Sequence, residues 1–244
     1  MASNPALSAK TFERAQQYAG EPMTLEGAVN KTALLLFLVV VPAAWVWAKA
    51  FRAPDPATVL PFMWAGLIGG FVVALVTIFK MDWSPVTAPI YAVLEGLALG
   101  GISAFMQMQF PGIVLQAVAL TFGVLAVMLV LYRSGVIQVT DRFSVAVVAA
   151  TAAIALVYLV TIVLSFFGVT VPFIHQGGTF GIIFSLVVVG VAALNLALDF
   201  DFIAKGAEHG APKFMEWYAA FGLMVTLIWL YLEILRLLSK LRRR

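Results

Sequence analysis

Of 244 residues, 63% are hydrophobic and only 11% are charged, well below the roughly 25% charged residues of an ordinary soluble domain. The chain reads as a membrane protein. The net charge of +3 is small, and the absence of cysteine excludes disulfides, thiolate nucleophiles and sulfur-ligated metals. His175 and His209 are too few and too far apart in sequence to mark a zinc site by spacing.

Residues 1–31 form a polar N-terminal segment of mixed charge, with Asn4-Pro5 and Gly20-Glu21-Pro22. It lacks the basic start and short apolar core of a secretory signal, so it is expected to be retained. Leu7, Phe12, Ala15 and Tyr18 fit either the apolar edge of a short surface helix or a disordered tail. From residue 32 onward, apolar runs long enough to cross about 30 Å of hydrocarbon recur. Seven are read, at 32–50, 57–79, 86–108, 112–132, 143–168, 179–199 and 215–239. The breaks carry turn chemistry: Arg52-Ala53-Pro54-Asp55-Pro56, Lys80-Met81-Asp82-Trp83-Ser84-Pro85, Phe110-Pro111-Gly112, Arg133-Ser134-Gly135 and Gly177-Gly178. Period-two alternation is absent, which leaves helices as the spanning structure. The expected fold is an all-α polytopic bundle over 32–239, closed by a basic tail at 240–244. Gly66-xxx-Gly70 and Gly96-xxx-Gly100 let helix backbones approach closely, and contact within one chain is preferred to self-association. A monomer is expected. No repeat and no separate soluble domain is found.

Basic residues in the loops set the expected orientation. Lys80, Arg133, Arg142, Lys205 and Lys213 fall on the side of the N-terminus, and Lys49 and Arg52 on the other. This predicts a cytoplasmic N-terminus. Seven spans then put the basic C-terminus outside, against the same rule, unless the last segment is re-entrant. Arg236, Lys240, Arg242, Arg243 and Arg244 suit anionic lipid headgroups of the bilayer rather than nucleic acid.

Acids within the apolar runs are the candidate functional residues, because a charge at membrane depth costs about 2.5–3.5 kcal/mol on insertion scales and persists where it faces protein or water. Asp199 ends the sixth run, and Asn195 lies one turn before it on the same helix face. Asp201 is two residues on, roughly 200° around a helix, so the two carboxylates cannot face one partner. Glu95 sits near the middle of the third run with no base in that run; it is either a protonated acid bonded to a neighbouring helix or a group in a watery cavity. Glu233 falls late in the last run and shares a face with Trp229, Arg236 and Lys240, which allows a Glu233–Arg236 pair. Glu216 reads as an interfacial residue, and Lys205–Gly210 as a solvated loop. No phosphate-binding glycine loop, nucleophile elbow or metalloprotease motif is present. Neither an enzyme nor a cofactor is expected.

Three stretches carry a family resemblance. Asp199-Phe200-Asp201-Phe202-Ile203 with Ala207-Glu208-His209-Gly210 resembles the Asp-Thr-Gln-x-Ile motif and acidic loop of the Bax inhibitor-1 family of seven-helix membrane proteins. Leu230-Tyr231-Leu232-Glu233-Ile234 resembles that family's last-helix motif. Met23-Thr24-Leu25-Glu26-Gly27-Ala28-Val29-Asn30-Lys31-Thr32 and Glu216-Trp217-Tyr218 are similar to its divergent bacterial branch. The resemblance implies a last helix central in the bundle. It also implies a pH-sensitive calcium leak, or a suppressor of cell death that modulates membrane proteolysis. Its implied sensor is a carboxylate pair, Asp199 and Glu233, closed when the acids share a proton and open when both ionise. Phe200 and Asp201 replace the family's Thr and Gln. A straight last helix would also put Glu233 about 27 Å from its start, so Glu95 is the alternative partner.

The leading expectation is therefore a Ca²⁺ or related cation path, with Asp199 as gate acid, Glu233 as second titrating group, and Glu95, Asn195 and Asp201 along the path. Ca²⁺ enters only as a permeant ion, since a leak needs few ligands and weak binding. Two other classes stay open: a non-conducting regulator of a membrane protease or another membrane protein, and a proton-coupled small-solute transporter.

Overall fold

A computed structural model describes residues 21–167 and 178–243. Leu7, Phe12, Ala15 and Tyr18, His175, Gly177 and Arg244 lie outside the described residues. Seven helices within them are long and apolar enough to cross a membrane. They are α1 (Leu25–Arg52), α2 (Leu60–Phe79), α3 (Ser84–Gln109), α4 (Ile113–Arg133), α5 (Asp141–Phe166), α6 (Thr179–Glu208) and α7 (Met215–Arg242). Large apolar side chains point outward along them, such as Phe71 at 65% and Leu115 at 76% exposure. Such surfaces suit lipid and not water. The chain is a multi-pass helical membrane protein.

Local chemistry sets the helix ends. Thr24 caps α1 by accepting from the Gly27 N–H at 2.9 Å, and Thr140 caps α5 through the Phe143 N–H at 3.2 Å. α1 therefore starts at Leu25, inside the stretch assigned to the polar segment. Correction is larger at α6. The sixth helix does not end at Asp199 but runs nine residues further, to Glu208, so the stretch read as a solvated loop is mostly helix. Ala204, Lys205 and Ala207 are good helix formers, and the turn comes only at Gly210, whose φ of 64° is readily open to glycine. There the Ala211 N–H reaches back to the Gly206 carbonyl at 2.9 Å. α7 is one unbroken helix of 28 residues, about 42 Å long at 1.5 Å per residue. A re-entrant last segment is thus ruled out, and Lys240 to Arg242 belong to the helix rather than to a tail.

The described residues form two compact units: one holds residues 21–111 together with Phe202–Val225, the other residues 112–201 with 226–243. In the first, α1 and α2 both pack along α3. Small residues allow this: a Cβ on Gly96 would strike the Val39 carbonyl and Pro42, and one on Gly66 the backbone at Leu94 and Ala98. The glycine pairs thus serve helix contacts within one chain. Val46, Ala50, Val59 and Ala104 form a buried core beside Trp47 and Phe62. In the same unit Met23 donates to the Ala211 carbonyl at 2.6 Å, and the Ser84 hydroxyl to that of Phe214 at 3.1 Å.

Candidate functional site

The second unit lines up polar side chains that are buried on α6 and α7 and half-buried on α5. Asp199 is 1% exposed. The Thr226 hydroxyl of α7 hydrogen-bonds its carboxyl, and the Oδ2 atom has no hydrogen-bond partner among the described residues. A buried carboxyl oxygen left unpaired is costly, and most native structures avoid it. Asn195, one turn earlier, donates to the Thr151 hydroxyl of α5 at 2.9 Å and to the Val191 carbonyl at 2.8 Å. Asp201 takes a different neighbour, the Tyr132 hydroxyl of α4. The two aspartates do diverge, as their 200° separation requires.

Glu233, 1% exposed, is occupied. Its Oε1 accepts from Arg236 at 2.6 Å and from the Tyr158 hydroxyl at 2.9 Å, and its Oε2 lies 3.0 Å from the same hydroxyl. Arg236 also donates to that hydroxyl at 2.7 Å and stacks over the Tyr158 ring at 5.1 Å. The local pair read from i,i+3 spacing is present. A shared-proton pair of Asp199 with Glu233 is not: the α7 partner of Asp199 is Thr226, two turns or about 10.5 Å before Glu233 along the helix.

Lys240, read as a headgroup base, is 3% exposed. Its ammonium donates to the Ser185 hydroxyl at 2.8 Å and to the Gly181 carbonyl at 3.1 Å. Burial follows from register. Asp199 meets Thr226 and Ser185 meets Lys240, so fourteen residues separate the contacts on each helix, with opposite chain direction. α6 and α7 therefore run antiparallel in phase, and Thr226, Glu233 and Lys240, seven apart, share one face. On α5, Thr151 and Tyr158 are also seven apart, and meet Asn195 and Glu233. The polar seam extends about 21 Å along α7. Arg236 is 39% exposed, and Arg242 donates to Gln116 at 2.9 Å.

Glu95 belongs to the first unit. It is half-buried, accepts from the Tyr91 hydroxyl one turn before it, and lies against Gly70 of α2. That unit also holds an acid that sequence reasoning undervalued. Glu216 is fully buried: its Oε1 accepts from the Thr24 N–H at 2.9 Å, the Thr24 hydroxyl at 3.0 Å and Lys213 at 3.2 Å, and its Oε2 from Lys31 at 2.7 Å. Lys31 also lies 5.7 Å from the Trp217 ring centre. The only signal was that Met23–Thr32 and Glu216–Tyr218 both carried the family resemblance, and they are the stretches Glu216 joins.

Among the described residues no group of three or more His, Asp or Glu side chains could hold a metal ion. Asp199 offers one free oxygen, against the six to eight ligands of a typical Ca²⁺ site. Neither the curated proteins nor the solved structures yield a match to the chain. The family model described as Bax inhibitor 1 like does match, over residues 4–243. With nearly the whole length covered, the chain belongs to the Bax inhibitor-1-like family.

Proposed function

We propose that this protein is a pH-sensitive leak path for Ca²⁺ or a related cation, gated by the protonation of Asp199. One observation carries the reading: a carboxyl 1% exposed, bound by Thr226 and keeping one oxygen without a partner among the described residues. A structural acid in apolar surroundings is normally saturated with donors. An acid left half-satisfied changes its interactions most when its charge changes, which is what a gate requires. The mechanism rests on one titrating acid rather than on a proton shared with Glu233. While Asp199 is protonated, it is a neutral group that can bond to a neighbour, and the seam is closed. Ionised, it repels its apolar surroundings, draws in water or a cation, and opens. Flux therefore rises as pH rises.

Asn195, one turn away on α6, positions the helix against Thr151 and adds a neutral ligand. Glu233 and Asp201 are held beside the path by their own partners, Arg236 with Tyr158 and Tyr132. Glu95 belongs to the first unit and takes no part in this mechanism. The path needs no enzymatic chemistry and no resident cofactor. The resemblance to the family's bacterial branch implies a bacterial inner membrane, and the loop bases put the N-terminus on its cytoplasmic side.

The test is Ca²⁺ entry into dye-loaded liposomes carrying purified protein, from about pH 6 to 8, for wild type and Asp199→Asn. Flux that grows with pH in wild type and is low and flat in the variant supports the reading. Wild-type protein that admits no more Ca²⁺ than empty liposomes at any pH overturns it, and favours a non-conducting regulator.

A further inference from the structure

The seam has an acid at one end and a base at the other. Lys240 sits two turns beyond Glu233 on the same face of α7 and is 3% exposed, and its hydrogen-bond partners among the described residues, Ser185 and the Gly181 carbonyl, are both neutral. The nearest acid on its own helix, Glu233, is engaged by Arg236 and Tyr158. A buried ammonium without a carboxylate in contact is unusual, because desolvation of the charge is not offset by a partner. Its ammonium is engaged by α6, on Ser185 and the Gly181 carbonyl, rather than presented at the protein surface. Its place explains more: Ser185 and Lys240 repeat, fourteen residues on, the contact of Asp199 with Thr226, so the ammonium lies on the line that a cation passing Asp199 and Glu233 would follow.

We propose that Lys240 is the tethered cation of this path. Its ammonium occupies the end of the α6–α7 seam remote from Asp199, takes the oxygen ligands of Ser185 and Gly181 that a permeating cation would use, and repels Ca²⁺ from the seam. Conduction requires the lysine stem to swing aside, so Lys240 sets the size of the leak while Asp199 sets its pH dependence. This inference rests on the leak reading above, and it predicts a low wild-type flux.

The experiment compares wild type with Lys240→Gln and Lys240→Met in the same Ca²⁺-loaded dye assay, after size-exclusion chromatography to select folded protein. Both variants remove the charge, and Met keeps the buried apolar stem, so either one suffices if the other misfolds. Each should raise flux about tenfold, as expected when a like charge leaves an ion path, and Lys240→Arg, which restores the charge, should lower it again. A wild-type leak that neither neutral variant changes overturns the role of Lys240 and leaves the leak standing. Silence of wild type and of both neutral variants at every pH overturns the leak itself and this role with it. A silent wild type beside a leaking neutral variant overturns the wild-type leak read above while supporting Lys240 as the block of the seam.

Discussion

The two units each bury a carboxylate, and the two are treated in opposite ways. Glu216 is saturated: four donors from Thr24, Lys31 and Lys213 surround its two oxygens. Asp199, equally hidden, has Thr226 on its carboxyl and nothing on Oδ2 among the described residues. The contrast separates two uses of a buried acid. A carboxylate with a full set of donors acts as a structural clip, here joining the start of α1 to the start of α7. One with an unpaired oxygen destabilises its surroundings and is retained for another reason. Glu233 lies between, with Arg236 and Tyr158 sharing its charge.

The comparison can be broken by stability measurements. The largest effect should come from Glu216→Ala, which leaves Lys31 and Lys213 without their anion and removes the acceptor of the Thr24 N–H. Breaking such a buried pair costs about 3–5 kcal/mol, read as a fall in melting temperature in detergent. A change no larger than that of an exposed carboxylate would show that the clip is not structural. Tyr158→Phe removes the hydroxyl that donates to Glu233 and accepts from Arg236, at about 1.5–3 kcal/mol, and the loss should shrink in an Arg236→Ala background if the three side chains act as a unit. Gly96→Ala forces a methyl against the Val39 carbonyl and Pro42, for about 1–3 kcal/mol. Full tolerance would mean that the α1–α3 approach is looser than described. Smallest of all is Asp199→Asn, expected within about 1 kcal/mol of wild type, since asparagine has the same size and its side-chain oxygen can still accept from Thr226.

The seven helices were legible in the sequence because an apolar run of bilayer length is a strong local signal. Their ends were less so. α6 was cut short at Asp199 because acids and a lysine lower hydropathy, although Phe202, Ile203 and Ala204 carry the helix on. The Glu233–Arg236 pair was legible because both partners lie within one turn, and the divergence of Asp199 and Asp201 followed from helix geometry alone. What was not legible depends on distant chain segments. Tyr158 reaches Glu233 across 75 positions, and Thr24 reaches Glu216 across 192, so no window of sequence contains either site. Lys240 was misplaced for the same reason: its basic neighbours suggest headgroups, whereas the α6–α7 register turns it inward onto Ser185.

The central claim is that Asp199 is kept for gating and not for folding. The most direct measurement is the pH dependence of Ca²⁺ flux through liposomes carrying Asp199→Asn, using protein whose melting temperature matches wild type. The account predicts flux that rises with pH in wild type and a low, flat profile in the variant at undiminished stability. A variant that keeps the wild-type pH profile, or loses flux only because it unfolds, would contradict it.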